Sequence, residues 1–115
     1  MIRNTREINW VKAALKDFRD FSIDAQTRAT SALTLVAEGK TPDVAKPLTG
    51  LGSGVWELAI KSHGDAYRVV YALQIGEDIW IVHAFQKKSK KGIATPKPDI
   101  DLIRERIKRL KEQLS

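Results

Sequence analysis

The sequence of 115 residues has no cysteine, only two histidines and no long apolar run. The lack of cysteine excludes a disulfide scaffold and a cysteine-ligated zinc site. No segment approaches the roughly 20 apolar residues needed to cross a bilayer, and the N-terminus leads into no signal-peptide core. Two histidines without paired carboxylates are a weak metal signal. We therefore expect one cytoplasmic domain over residues 1–115, with no metal, no cofactor and no membrane contact.

Positive charge is in excess, and it is concentrated at one end of the chain. The formal net charge is +6, yet residues 1–86 carry ten basic and ten acidic side chains. Residues 87–115 carry ten basic and four acidic side chains, which supply the whole excess. Clustered positive charge indicates a polyanionic partner, with nucleic acid first. The alternatives are a solvated basic surface or a basic helix docked on an acidic protein.

The first third of the sequence predicts two helices after a short strand. Residues 6–10 fit a first strand, and apolar side chains at helical spacing predict a helix over 10–20. Ser22 can cap a second helix that runs to about Glu38, and Gly39 can end it. Two consecutive helices with a short link predict a helical hairpin.

The rest of the sequence changes to strand periodicity and then back to a helix. A loop over 40–54 leads into strand-like segments at Val55–Lys61, Ala66–Gln74 and Asp78–Phe85. Short turns join these segments, so they predict a three-stranded antiparallel meander. Residues 98–115 predict an amphipathic helix that could pack on the domain, on a second copy or on a partner. The expected fold class is α+β, with two N-terminal helices packed on one side of a small antiparallel sheet.

Antiparallel order brings four basic side chains to one end of this sheet. Lys61 ends the first meander strand, and Arg68 lies early in the second. Lys87 and Lys88 leave the third strand beside Arg68. Cations at this edge could stabilise the charge that develops on a reacting phosphate, or bind an RNA backbone without chemistry. We interpret these four residues as a candidate phosphate site.

Aromatic and imidazole side chains near these cations each have two interpretations. Tyr67, Tyr71 and Phe85 could stack on RNA bases, whereas a core position is favoured for Tyr71. His63 lies in a turn, and His83 lies inside a strand. Either imidazole could transfer a proton near neutral pH. An exposed turn residue and a packed strand histidine are the simpler interpretations.

Three runs of residues, in this order, resemble a known toxin family. They are Lys46-Pro-Leu-Thr-Gly-Leu-Gly-Ser-Gly-Val-Trp-Glu-Leu, Gly64-Asp-Ala-Tyr-Arg-Val-Val-Tyr-Ala and Val82-His-Ala-Phe-Gln-Lys-Lys-Ser-Lys-Lys. Together they resemble the HigB-like branch of the RelE/ParE superfamily, which includes phage-derived toxins of type II toxin–antitoxin modules. The resemblance covers about residues 6–105, and the run that begins at His83 is its most specific part.

The resemblance implies an mRNA endonuclease that works on translating ribosomes. In that chemistry the RNA 2′-hydroxyl attacks the adjacent phosphate without a metal, giving a 2′,3′-cyclic phosphate and a 5′-hydroxyl. Arg68 matches the strand arginine at the scissile phosphate, and Lys87 or Lys88 matches the basic residue after the last strand. Lys61 would hold the RNA from the same side.

The resemblance leaves the proton-transfer residue open. The candidates are His63, His83 and a lysine whose pKa is lowered by its neighbours. We also expect an RNA-binding surface beside the catalytic residues, formed by His63, Tyr67, Phe85, Lys90 and Lys91. The chain departs from the family pattern at Ala59, where many relatives have arginine, and in the inserted segment 92–96.

The resemblance also implies partners and leaves two other functions open. The expected partners are the ribosome, mRNA and a cognate helix-turn-helix antitoxin of the HigA-like type, in a homodimer or a toxin–antitoxin hetero-oligomer. The first alternative is a ParE-like inhibitor of a protein target such as DNA gyrase. The second is a non-catalytic nucleic-acid-binding regulator, which the loss of arginine at Ala59 would favour.

Overall fold

The computed structural model describes residues 5–87 and 94–114, which form five strands and three helices. The two N-terminal helices and the meander strands occur in the predicted order. The elements in chain order are β1 (Ile8–Trp10), α1 (Lys12–Arg19), α2 (Ile23–Ala37), β2 (Ala45–Pro47), β3 (Val55–Ser62), β4 (Asp65–Ala72), β5 (Ile79–Lys87) and α3 (Lys97–Leu114).

The strands form one mixed sheet with the order β1-β5-β4-β3-β2. The antiparallel meander of β3, β4 and β5 is confirmed as the centre of this sheet. The short N-terminal strand is also confirmed, and it pairs in parallel with β5 at one edge. The prediction of a purely antiparallel sheet is therefore wrong at β1. Strand β2, which the sequence analysis placed in a loop, pairs antiparallel with β3 at the other edge.

Helices α1 and α2 pack on one face of the sheet, as predicted. The Ser22 hydroxyl accepts a hydrogen bond from the Ala25 amide at 3.1 Å, so the predicted cap starts α2. Gly39, with a φ of +84°, follows the end of α2. Buried alanines on α2 and the rings of Phe18 and Phe21 close a core against this face. The hydrophobic burial of this core holds the two helices on the sheet.

Helix α3 packs on the opposite face, so helices cover both sides of the sheet, whereas the sequence analysis placed helices on one side and left the position of this helix open. The apolar seam of Ile103, Ile107 and Leu110 is buried there against strand residues that include Val70 and Val82. Strands that are buried on both faces carry apolar residues at successive positions, and Val69 and Val70 do so in β4. Of the three surfaces considered for the last helix, it packs on its own domain.

A tight turn sets the register of the central hairpin. His63 and Gly64 connect β3 to β4, and both have positive φ values, of 49° and 85°. Two residues with positive φ form the type I′ turn whose twist matches that of paired strands. The turn pairs Ser62 with Asp65, and the register then continues to Ala59 opposite Arg68. Within the described part of the chain, no helix is long and apolar enough to cross a membrane.

Candidate functional site

Strand register brings the predicted cations to one face of the sheet. Lys61 and Lys87 both pair with Ala66, one from each side, so the three residues form one row across the sheet. Arg68 lies two residues further along β4 and therefore points to the same face. Because adjacent strands are about 4.8 Å apart, the Cα atoms of Lys61 and Lys87 are roughly 10 Å apart.

A fourth basic residue, which the sequence analysis did not single out, joins this set from β2. Lys46 pairs with Glu57 of β3, and directly opposed residues in a sheet share a face. We name the surface formed by Lys46, Lys61, Arg68 and Lys87 the basic face. It lies on the side of the sheet that α3 also covers, since Val70 in the second core is two residues beyond Arg68.

The basic residues differ in how far they reach into solvent. Lys61 is exposed, Lys87 is half-buried, and Arg68 is only 7% exposed. The Arg68 guanidinium therefore lies beneath the surface that the two lysines present. A phosphate that approaches from solvent can contact Lys61 and Lys87 directly. Contact with Arg68 requires the side chains around it to move.

A buried carboxylate lies beneath the basic face. Glu57 is 1% exposed, and its Oε1 is 3.5 Å from Arg68 Nε and 3.9 Å from Lys46 Nζ. The Thr95 hydroxyl donates a hydrogen bond to the other oxygen, Oε2. The sequence analysis missed Glu57, although its alternation with Trp56 and Leu58 places it on the face of Lys61.

Lys87 is a member of the basic face whose pKa is lowered by its surroundings. Burial lowers the pKa of its ammonium group, and the charges of Arg68 and Lys46 lower it further, while Glu57 partly opposes them. A lowered pKa raises the fraction of neutral amine that can accept a proton near neutral pH. Of the proton-transfer candidates that the sequence offered, this arrangement fits the lysine with cationic neighbours.

His83 is buried at the edge of the basic face and is only 3% exposed. Its Nδ1 is 3.0 Å from Arg106 Nη1, which can only donate, so Nδ1 accepts and Nε2 carries the proton. Nε2–H donates to Asp99 Oδ1 at 2.7 Å. Both ring nitrogens thus bind α3, and this position favours a role in docking that helix over proton transfer.

The aromatic candidates divide between the two faces. Phe85 pairs with Arg68 in the register, is half-buried and stacks on the His83 ring at 5.1 Å between centroids. Tyr67 is 5% exposed and packs on Phe21 at 4.6 Å, on the face that α1 and α2 cover. The half-buried Phe85 ring is therefore partly accessible, whereas the position of Tyr67 does not support the predicted base stacking.

Tyr71 lies in the core between the sheet and helices α1 and α2, and the sequence analysis favoured a core position for it. Burial raises the pKa of its hydroxyl to about 12, so it stays protonated at neutral pH.

His63 lies at the tip of the β3–β4 turn and is remote from the buried part of the basic face. Its side chain is 81% exposed, and Nε2 is 3.8 Å from Asp24 Oδ2. Ser62 donates a hydrogen bond to the same Asp24 oxygen at 2.5 Å, and Arg28 Nε does so at 2.8 Å. These hydrogen bonds lower the pKa of Asp24, and the cluster ties α2 to the turn.

Three predicted site residues, Lys88, Lys90 and Lys91, lie outside the described residues. Within residues 5–87 and 94–114, no group of acidic or histidine side chains is arranged to hold a metal ion. The described site residues are therefore the four members of the basic face, with Glu57 beneath them and Phe85 beside them.

Comparisons with known proteins agree with this architecture. A family model described as phage-derived protein Gp49-like (DUF891) matches residues 16–108, and no curated protein matches the chain. A mutant of the E. coli toxin RelE, with two arginines changed to alanine and in the free state, is similar with a TM-score of 0.64 and 16% identity. The alignment covers 91% of this chain and 97% of the RelE chain, so the fold is RelE-like. Because the family model spans most of its length, the chain belongs to the Gp49-like family of phage-derived proteins.

Proposed function

We propose that this protein is the toxin of a type II toxin–antitoxin module and cleaves mRNA on the ribosome. The observation that carries the proposal is the register of β3, β4 and β5, which gathers Lys61, Arg68 and Lys87 on one sheet face. The RelE-like fold and the Gp49-like family support it, because the solved relative is a toxin. The HigB-like resemblance of the sequence supports the finer assignment.

The chemistry that suits these residues is attack of the RNA 2′-oxygen on the adjacent phosphorus. Neutral Lys87 accepts the proton of the 2′-hydroxyl, a bond forms between the 2′-oxygen and phosphorus, and the bond from phosphorus to the 5′-oxygen breaks. The 5′-oxygen leaves with a proton from solvent or from a protonated lysine of the basic face. The products are a 2′,3′-cyclic phosphate and a 5′-hydroxyl, and the sequence of steps needs proton transfer and charge stabilisation alone.

Each cation has its own part in this proposal. Arg68 stabilises the negative charge that develops on the phosphate oxygens in the transition state, as a preorganised guanidinium does well. Exposed Lys61 binds a neighbouring phosphate and holds the strand. Phe85 stacks on a base beside the scissile bond. In this proposal the ribosome holds the mRNA in the reactive geometry. Contacts with the ribosome or the mRNA displace the side chains that cover Arg68, so that the phosphate can reach its guanidinium.

The partner expected for such a toxin is a helix-turn-helix antitoxin of the HigA-like type. Neutralisation follows when the antitoxin covers the basic face or keeps the protein away from the ribosome. The charge of the face favours an acidic antitoxin segment at this surface. Coexpression with the product of the adjacent reading frame tests this part, since it should restore growth.

The proposal is tested by inducing the protein alone and mapping the 5′ ends of cellular mRNA. Wild-type protein should stop growth and create new 5′-hydroxyl ends, and Arg68→Ala should remove both effects. Arg109→Ala is the matched control, because it removes a guanidinium that is 72% exposed on α3, outside the basic face. The absence of growth arrest and of new ends with wild-type protein would refute the proposal.

Ala59 favours a second candidate, a regulator that binds RNA without cleaving it. Ala59 is the register partner of Arg68, at the position where many HigB-like relatives have arginine. If this chain only binds, RNA affinity should fall steeply with salt while cleavage is absent. A binding assay beside the 5′-end map separates the two candidates.

A further inference from the structure

Glu57 is an acidic residue set among cations that would bind RNA. It lies on β3, between Lys46 on β2 and Val70 on β4. At 1% exposure it cannot touch a substrate in solution. Its effect on any reaction must therefore pass through the side chains that it contacts.

A buried carboxylate is costly unless charges and hydrogen bonds compensate it. Glu57 is compensated on both oxygens, since Oε1 faces Arg68 and Lys46 while Oε2 accepts from Thr95. Apolar side chains in place of both Glu57 and Arg68 would fill this part of the sheet without that cost. Packing alone therefore does not account for this buried ion pair.

We propose that Glu57 is a positioning residue that orients the guanidinium of Arg68 toward the scissile phosphate, an inference that rests on the proposed endonuclease function. The contact is made to Nε, on the inner edge of the guanidinium, at 3.5 Å. Thr95 binds the second oxygen of Glu57, so the carboxylate cannot rotate freely. Its orientation relative to the guanidinium of Arg68 is therefore fixed. An arginine preoriented in this way loses less conformational entropy when it binds a phosphate.

Charge compensation is the second part of this role. Arg68, Lys46 and Lys87 repel one another, and the charge of Glu57 offsets part of that repulsion. Loss of this charge would increase the repulsion that acts on Arg68. Glu57 thus keeps a cation in a place where repulsion would otherwise displace it.

Glu57→Gln is the sharpest test, because glutamine keeps the shape and still accepts a hydrogen bond from Thr95 but has no charge. Loss of the charge of Glu57 also lowers the Lys87 pKa, so kcat is compared at a pH on the alkaline plateau, where Lys87 is neutral in both proteins. There we expect kcat for mRNA cleavage to fall by about tenfold to a hundredfold, as misplaced catalytic groups do. KM for RNA should stay the same or decrease, because a negative charge has left an RNA-binding face. Glu105→Gln is the matched control, since it removes a carboxylate that is 54% exposed on α3, and it should leave both constants unchanged.

Glu57→Asp provides a second variant that retains the charge, should the glutamine variant fail to fold. Its carboxylate is one methylene further from Arg68, so we expect a kcat between those of wild type and Glu57→Gln at an unchanged KM. A wild-type kcat in Glu57→Gln or, if that variant does not fold, in Glu57→Asp would overturn the proposal. A rise in KM that accounts for the whole loss of kcat/KM would also overturn it.

A measurement without RNA separates this inference from the proposed function. Hydrogen exchange of the Arg68 Nε–H, followed by ¹⁵N NMR, should be slow in wild type and clearly faster in Glu57→Gln. Equal exchange rates in the two folded proteins would show that Glu57 does not hold Arg68. If wild-type protein cleaves no mRNA but the exchange rates differ, the proposed function fails while the positioning of Arg68 by Glu57 stands.

Discussion

At the scale of single residues, Lys87 is the residue that the proposed function assigns as the base. Its pKa is lowered by burial and by the positive charges of Arg68 and Lys46. Only the neutral amine accepts the proton of the 2′-hydroxyl, so the rate should follow the titration of this one group. The pH dependence of cleavage therefore tests the role proposed for Lys87.

We expect log kcat of wild-type protein to rise with pH and to level off at a pKa below that of an ordinary lysine. Lys87→Arg stays protonated, so it should abolish this rise and lower kcat by about 10²- to 10⁴-fold. Single-turnover cleavage across the neutral and alkaline range measures both effects. Lys40→Arg, an exposed lysine after α2, is the control, and a shared profile for all three proteins would exclude Lys87 as the base.

Ala59 gives the second prediction at this scale. It is half-buried and pairs with Arg68, so a long cationic side chain there can reach the same phosphate. Ala59→Arg should raise kcat/KM several-fold, since a further charge-assisted contact contributes about 1.5–3 kcal/mol at most and crowding offsets part of it. Cleavage assays of the purified variant decide this, and an unchanged or lower kcat/KM in the folded variant would show that the position no longer serves catalysis.

At the scale of elements, the β3–β4 turn and helix α2 are joined by Asp24. Ser62 and Arg28 both donate hydrogen bonds to Asp24, and these lower its pKa. Because the folded pKa lies below the unfolded pKa, the stabilisation is fully present above the unfolded pKa and is lost as pH falls through the folded pKa. The link between turn and helix should therefore weaken in acid.

Asp24→Asn should lower the free energy of unfolding at neutral pH, and its difference from wild type should shrink as the pH falls. Urea unfolding at neutral and acidic pH measures this difference. Asp43→Asn, which changes an exposed loop carboxylate, should follow wild type at both pH values. A difference between Asp24→Asn and wild type that does not depend on pH would contradict the assigned role of Asp24.

The elements with long, regular patterns are those that the sequence predicts well. The cap at Ser22, the meander and the apolar seam of α3 all follow from local spacing. Strand β2 has three residues, Ala45–Pro47, and is too short to show a period. The face on which α3 packs depends on contacts distant in sequence, which periodicity does not encode.

In the candidate site, too, the residues that local spacing determines were predicted, and those that depend on contacts distant in sequence were not. Lys61, Arg68 and Lys87 follow from strand register, which short turns set locally. Glu57 was missed because a carboxylate in an alternating strand is typical of a solvated face, and its burial depends on Thr95 and Lys46. Tyr67 was misplaced because Tyr67 and Arg68 are neighbours in sequence but point to opposite faces.

At the scale of the whole molecule, net charge determines the long-range attraction between the protein and a polyanionic partner. The net charge is +6, and three of the four members of the basic face, Lys46, Lys61 and Arg68, lie in residues 1–86, whose charges cancel. RNA binding should therefore weaken linearly on a plot of log affinity against log salt. The local arrangement of cations, more than the total charge, should determine the slope.

Lys61→Ala should reduce the magnitude of this slope by about one, as the loss of one phosphate contact does. Lys40→Ala removes an equal charge away from the basic face, so its slope should match that of wild type. Fluorescence titration of a short single-stranded RNA at several salt concentrations measures both. Equal slopes for Lys61→Ala and wild type would remove Lys61 from the RNA-binding surface.

The most direct test of the central claim uses purified protein, translating ribosomes and one defined mRNA. We expect cleavage only when ribosomes are present, with a 2′,3′-cyclic phosphate on one fragment and a 5′-hydroxyl on the other. Arg68→Ala should give no such fragments under the same conditions. Intact mRNA with the wild-type protein, or fragments that carry a 5′-phosphate, would contradict the assignment of the basic face as the site of 2′-hydroxyl attack.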